Sequence, residues 1–387
     1  MSAAGYPASL HCLCVNTGSS SLKLALYRVG DDNTESCLWR DVAREIGTPE
    51  ACVQRDGHLE KHRLPQHRTA LDILLRDANL PRVDAVGHRV VHGGEHIRPE
   101  RVTPELLTRL HALIPLAPLH LPAALAGIEA VSEQLPEVPQ VACFDTAFHA
   151  GLPDYAGTLP LPQRYRELGI HRYGFHGLSC EYIVRELGVR AQGRVVVAHL
   201  GNGVSLTALS DGRSVDTTMG FTPCGGVMMG TRSGDLDPGV LLYLMREQGL
   251  DAAALERLLN HEAGLLGVSG LSPDMSVLLG HDEPGAHLAV GLFAYQVRKA
   301  VGALATALGG LDRLVFTGGI GEHAAPVRGS ICDGLGHLGV TLDPERNAAG
   351  DRRISTDGSD CEVLVIPTDE DCIIAQHCRH VLSRGTP

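Results

Sequence analysis

The sequence predicts an α/β protein in which one strand–turn–strand unit occurs in each half of the chain. Three observations carry that expectation. Apolar runs of strand length end repeatedly in glycine- or acid-bearing turns. Stretches such as 286–308 carry apolar residues at helical spacing. The composition sets 45 glycines against 4% aromatics, which suits tight strand-to-helix turns better than an all-β binding module.

The elements follow in order. Leu13-Cys14-Val15 runs into Asn16-Thr17-Gly18-Ser19-Ser20-Ser21 and then the alternating Leu22 to Tyr27: strand, tight turn, strand. Two further strands, Ala85 to Val91 and Val141 to Phe144, deliver Arg89 and Asp145 at or near their ends. Val195 to Leu200, the turn Gly201-Asn202-Gly203 and Val204 to Leu209 repeat the first grammar, a weak internal duplication. Leu314 to Thr317 leads into Gly318-Gly319-Ile320-Gly321-Glu322. Val363 to Ile366 leads into Pro367-Thr368-Asp369-Glu370 and a last helix from about Asp371 to Leu382. In open α/β sheets ligands sit beyond the carboxyl ends of strands, where all these polar turns lie.

The length of 387 residues suggests two or three domains. With 33 basic and 45 acidic residues the net charge is −12, which argues against a nucleic-acid binder. No run of 18 uninterrupted apolar residues occurs, so no membrane span is expected. Met1 to Leu10 lacks the basic flank and apolar run of a secretory signal. The 11 cysteines are scattered without a CxxC pair, which points to reduced thiols in the cytoplasm.

Neither a GxxxxGK[ST] loop nor a GxGxxG after a strand is present. The turn from Asn16 to Lys23 offers an amide, hydroxyls including Ser19 and Ser21, and an ammonium. Arg89 and Arg232 lie in glycine-rich polar turns, where a guanidinium suits carboxylate or phosphate. Asn16, Asp145 and Glu370 are oxygen donors of the kind that hold Mg²⁺ directly or through water. Alone, Gly201-Asn202-Gly203 is as well read as a plain hairpin, Asp145 and Glu370 as helix caps, and His176 as structural.

Taken together the turns resemble the acetate kinase family of the sugar kinase, Hsp70 and actin superfamily. The resemblance runs from about Leu13 to Gln376. It rests on Asn16 to Lys23, Gly87 to Gly94, Pro115 to His120, Phe144 to His149, Tyr173 to Gly177, His199 to Gly203, Met229 to Asp235 and Gly319 to Glu322. It implies two duplicated actin/Hsp70-like (ribonuclease H-like) α/β domains around a cleft. The first would span 1–150 plus a C-terminal helix of about 371–387, the second, nucleotide-binding, 151–370. The implied reaction is ATP plus a short carboxylate giving ADP and an acyl phosphate, with Mg²⁺ or alternatively Mn²⁺, in a cytoplasmic homodimer without nucleic-acid or membrane partners.

The resemblance also implies site roles. Arg89, Asp145, His176 and Arg232 fall on the catalytic positions, and Asn16 and Glu370 on the metal-associated ones. Val91, Leu119, Phe175 and Pro223, with Arg89, fall on the acyl pocket. Lys23, Ser19, Ser21, His199, Leu200, Gly201, Asn202, Gly203, Asp274, Gly319, Ile320, Gly321, Glu322 and His323 fall on the nucleotide site. The chain departs from the family pattern at Ser276, where Asp-x-Arg is usual, at His323, Leu121 and Cys224-Gly225, and at Asp371, while Glu370 is kept. These departures suggest a divergent member with a broader acyl pocket. Acetate is the expected acceptor, with propionate or butyrate as alternatives. A nucleotide-binding regulator without phosphoryl transfer is the reading of a different class.

Overall fold

The computed structural model describes residues 9–18, 20–30, 34–55, 57–76, 78, 80–118 and 120–383. The chain divides into two compact units, Met1–Phe148 with Asp369–Pro387, and His149–Thr368. The last helix, Glu370–Ser383, therefore belongs to the first unit.

Eight strands make up the first unit's sheet: β1 (Ser9–Thr17), β2 (Leu22–Gly30), β3 (Glu35–Arg44), β4 (Cys52–Arg55), β5 (His58–Lys61), β6 (Ala85–Val90), β7 (Glu100–Arg101) and β8 (Gln140–Phe144). Their order is β5-β4-β3-β2-β1-β6-β8-β7. The second unit holds β9 (Arg194–Leu200), β10 (Val204–Ser210), β11 (Arg213–Thr217), β12 (Arg313–Thr317) and β13 (Glu362–Val365), in the order β11-β10-β9-β12-β13.

The two sheets share one design. In each, a central strand pairs antiparallel with the strand after it, and that strand with a third. On its other edge the central strand pairs with a parallel strand, which pairs with a second one. So β1, β2, β3, β6 and β8 correspond to β9, β10, β11, β12 and β13, and the duplication expected from two glycine turns extends to the whole sheet. Parallel strands must be covered on both faces, and β8 is buried at every residue of Gln140–Phe144. The polar end of Gln140 is satisfied by His88 at 2.6 Å and by the Ser132 hydroxyl at 2.8 Å.

Leu13, Val15, Leu24, Leu26 and Val86 build the first unit's core together with Leu71 and Leu74. Each such side chain contributes about 1.5–3 kcal/mol by leaving water. The 25-residue helix Pro284–Leu308 is long and apolar enough to cross a membrane by composition. It instead buries Phe293, Val297, Val301 and Leu304 as a core helix of the second unit, packed on β9 and β10.

Two features differ from the sequence expectation. The segment after β12, expected as a glycine turn, is a short helix, Gly318–His323. Its first amide is capped from within: the Glu322 carboxylate accepts from Gly318 N–H at 3.0 Å and from Thr368 N–H at 3.3 Å. The strands β3, β4, β5 and β11 add antiparallel edges that apolar runs do not mark, because their faces are largely polar and half-exposed.

Candidate active site

The first unit gathers its charged candidates at the ends of β1, β6 and β8 and at the start of the last helix. Arg89, next to last in β6, reaches Asp145 just beyond β8 through Nε at 3.2 and 3.1 Å and through Nη2 at 2.6 Å. Its Nη1 lies 3.4 Å from Glu370. Parallel pairing sets Arg89 opposite Cys143, so the strand register fixes this meeting. Asp145 is buried. Burial pushes its carboxyl up to about 6, Arg89 pulls it down, and Glu370 adds to the rise. Burial also works against the charge on Arg89, but Asp145 and Glu370 more than offset it, so the guanidinium stays charged.

Asn16 lies at the end of β1, opposite Lys23 in the β1–β2 hairpin. The turn between them is tight: Gly18 N–H donates to the Ser21 carbonyl at 2.8 Å. A Cβ on Gly18 would stand 2.6 Å from Ser21 Oγ. Cys14 Sγ donates to the Asp371 carbonyl at 3.2 Å, which fastens β1 to the first turn of the last helix. Asp371 is pushed up to about 6 by burial, against the pull of Arg40 and Lys23. Among the described residues no cluster of three or more His, Cys, Asp or Glu side chains forms a metal cage. The hard oxygens of Asn16 and Glu370 do suit Mg²⁺, which keeps water and phosphate ligands and needs few protein donors.

The second unit places its candidates around the β9–β10 turn. His176 precedes the helix Gly177–Leu187 in a left-handed conformation, φ 57° and ψ 30°. Such a backbone is strained for a non-glycine residue and persists only where its surroundings impose it. The imidazole Nδ1 lies 3.0 Å from the Ser205 hydroxyl on β10. Its ring stacks on that of His199 with centroids 4.2 Å apart. His199 is held in turn by Ser179 at 2.8 Å. A Cβ on Gly203 would meet Arg232 Nη2 at 2.7 Å and the Cε1 and Nε2 atoms of His176 at 3.2 Å. A side chain there would crowd both groups, so the guanidinium and the imidazole converge on one stretch of bare backbone. Arg232 Nη1 donates to the carbonyl of the buried Pro223 at 2.6 Å. A Cβ on Gly230 would collide with the Asn202 side chain.

The sequence profile of the Acetokinase family matches residues 11–376. The chain belongs to that family. An acetate kinase of Rhodopseudomonas palustris (strain ATCC BAA-98 / CGA009) is 48% identical over 96% of this chain and 98% of its own length. Among solved structures, Porphyromonas gingivalis acetate kinase superposes with a TM-score of 0.85 at 36% identity, covering 96% of this chain and 100% of that one. A propionate kinase from Francisella tularensis gives 0.88 at 36% identity with the same coverage. As an acetokinase the chain is a kinase that uses ATP as a co-substrate, and its two-sheet α/β fold is the family's.

The remaining candidates are placed as follows. Val91 is half-buried just after β6, and Phe175 is buried beside His176. Leu200 is buried at the end of β9, while Gly201 is half-exposed. Asp274 is exposed and caps the helix Met275–Leu279, its Oδ1 accepting from Ser276 N–H and Oγ–H, both at 2.8 Å. Gly319 and His323 are exposed, Ile320 half-exposed and Gly321 buried. Ser19 and Leu119 lie outside the described residues.

Three supporting residues escaped the sequence analysis. His149 holds the strained approach to His176, with Nε2 3.0 Å from the Phe175 carbonyl and Nδ1 2.9 Å from Ser214 Oγ. Arg328 is buried and donates to the carbonyls of Gly321 and Glu322 at 2.9 and 2.8 Å and to Asn347, so it ties down the end of the helix Gly318–His323. Ser205 fixes His176. An isolated arginine within the apolar run around Val327 and Ile331 was the one visible signal.

Burial lowers both His149 and His88 to about 4. Both are buried neutral, whereas the unfolded chain protonates them near pH 6.5. Stability should therefore fall as pH drops from about 6.5 to 4, by about 1.4 kcal/mol per unit for each. Asp145 and Asp371, pushed up to about 6, act with the opposite sign in that window. The comparison that isolates the histidine effect is wild type against His149→Asn in denaturant titrations at pH 7 and pH 5. The stability gap between them should narrow at pH 5, and a pH-independent gap would contradict buried neutral His149.

Proposed function

We propose that the protein is an acetate kinase that reversibly transfers the ATP γ-phosphoryl group to acetate, giving acetyl phosphate and ADP. The observation that carries this reading is the convergence of Arg232 and His176 on the bare backbone of Gly203, in a chain of this family. A carboxylate acceptor is already ionised at neutral pH, so no general base is required. The barrier lies in bringing an anion to a polyanion and in stabilising the charge of the transferring phosphoryl group.

Each group has a part in that task. Arg89 binds the carboxylate substrate and is aimed by Asp145, whose carboxylate holds Nε and Nη2 in a fork. Asp145 is thereby an orienting group and removes no proton from the substrate. Arg232 and His176 donate to the phosphoryl oxygens as charge develops on them. Val91, Leu119, Phe175 and Pro223 are the apolar residues assigned to the acyl methyl. Lys23, Ser19 and Ser21 serve the nucleotide phosphates, together with His199 to Gly203 at the end of β9 and Gly319 to His323 in the short helix after β12. Asp274 serves the nucleoside. Glu322 acts within its own loop, because its carboxylate occupies the Gly318 amide. Asn16 and Glu370 would hold Mg²⁺, directly or through water, and the bound ion would neutralise phosphate charge.

The experiment is to incubate the protein with ATP, Mg²⁺ and acetate, propionate or butyrate, and to trap acyl phosphate with hydroxylamine. Metal-dependent hydroxamate with acetate strongest is expected. Propionate in first place would move the reading to propionate kinase, the name carried by one structural relative. No product with any acid from protein that binds ATP would favour the regulator. An extra methylene changes discrimination by about 1–3 kcal/mol, so the series is decisive where pocket shape is not.

A homodimer is also proposed. The helix Pro238–Glu247 buries none of its residues and exposes Val240, Leu242, Tyr243 and Met245. These four side chains stand around the helix, and so much exposed apolar surface marks an association surface. Sedimentation should give twice the 41.2 kDa of the chain, and Tyr243→Asp with Val240→Asp should give the single chain. A wild type that sediments as a monomer would remove the proposal. The cysteines are all free thiols, which suits the cytoplasm. Cell fractionation should leave the activity in the high-speed supernatant, and activity that pellets with membranes would contradict this.

A further inference from the structure

We propose that Ser205 is a positioning residue for phosphoryl transfer, acting through His176. The inference rests on the acyl-kinase role of His176 above and goes beyond it by assigning what aims that imidazole. His176 is bound along its Nδ1 edge by the Ser205 hydroxyl at 3.0 Å. Its Cε1 and Nε2 atoms are the ones that approach Gly203 and Arg232. A half-turn about the Cβ–Cγ bond would exchange the Nδ1 and Cδ2 edges and put Nε2 and Cε1 in each other's places beside Gly203. The Ser205 hydrogen bond is lost in that flipped ring, so it fixes which of the two places beside Gly203 Nε2 takes, and with it the direction of the donor.

Three further observations support the assignment. Ser205 is 1% exposed, so its hydroxyl exchanges little with water and its partner is the imidazole. It stands in β10, directly opposite His199 in the antiparallel register, on the rigid central hairpin of the second sheet. The His199 ring, itself held at Nδ1 by the buried Ser179, covers one face of His176. Edge and face of the imidazole are thus both fixed by neighbours. Positioning of this kind is what lets a donor act without reorganising as charge develops.

The test is a double-mutant cycle between Ser205→Ala and His176→Gln, with Thr207→Val as a matched control. Thr207 carries another buried hydroxyl on the same strand, bonded at 3.0 Å to the Thr217 hydroxyl rather than to an imidazole. Ser205→Ala should lower kcat about 10-fold, with both KM values within about two-fold. In the His176→Gln background the same change should cost nothing further, because its effect passes through the ring. Thr207→Val should keep wild-type kcat. The proposal is overturned if Ser205→Ala keeps kcat, if its effect lies in KM, if it adds fully to His176→Gln, or if Thr207→Val loses as much. A wild type that makes no acyl phosphate overturns the acyl-kinase reading as well, so the two failures are distinguishable.

Discussion

Replacing Arg232 by alanine lowers kcat by about 10³-fold or more, the scale of a cationic finger in phosphoryl transfer, and changes the KM for ATP only modestly. The reason is where its charge acts. A carboxylate nucleophile needs no proton removed, so the enzyme gains rate chiefly by stabilising charge spread over the transferring group. Arg232 meets that charge from beside Gly203, with Nη1 anchored on the Pro223 carbonyl. The proposed nucleotide segments offer many backbone groups, so losing one guanidinium should cost little ground-state binding. Arg89→Ala should lose kcat on the same scale. Steady-state kinetics with saturating carboxylate reads both. Near-normal turnover in either variant would end its proposed role.

The second large effect is on stability. Asp145→Ala should destabilise the protein by about 3–5 kcal/mol, because truncating one partner leaves a largely buried charge uncompensated. Arg89 is 18% exposed at its side chain and Asp145 1%. With Asp145 gone, Arg89 keeps the looser contact to Glu370 at 3.4 Å and the more remote charge of Asp371. Activity should fall as well, since the fork that aims the guanidinium is gone. Glu370→Gln should cost far less stability, while shifting the Mg²⁺ dependence of the rate. Chemical denaturation of the two variants beside wild type gives the comparison. An Asp145→Ala protein as stable as wild type would mean that the pair is screened by water, contrary to its burial.

The sequence made some parts of this molecule readable and left others silent, for physical reasons. The hairpins β1–β2 and β9–β10 were legible because a turn rich in glycine, or in glycine and hydroxyls, separates two strongly apolar strands, and only a few backbone solutions fit that pattern. The strand β3, Glu35–Arg44, was not legible. It is an edge-side strand with polar residues on both faces, so no period-2 signal survives. Arg89, Asp145 and Glu370 could be named because each sits at or just beyond a strand end, where α/β proteins put chemistry. That Asp145 would engage Arg89 in a fork was fixed only by the β6–β8 register. Ser205 and His149 were invisible as supports. A serine in an alternating strand looks ordinary until the fold brings it to a histidine 29 positions away in the sequence. Glu322 was read from its motif as part of a nucleotide-phosphate loop; that its carboxylate also caps the helix it sits in was not legible.

The most direct measurement follows phosphorus in the reverse direction. Purified protein is mixed with acetyl phosphate, ADP and Mg²⁺ and observed by ³¹P NMR. The acetate kinase reading predicts that the acetyl phosphate resonance falls as ATP γ-phosphate rises in equal amount, and that chelation of the metal stops both. Acetyl phosphate converted to inorganic phosphate without ATP, or left unchanged by folded protein, would contradict it.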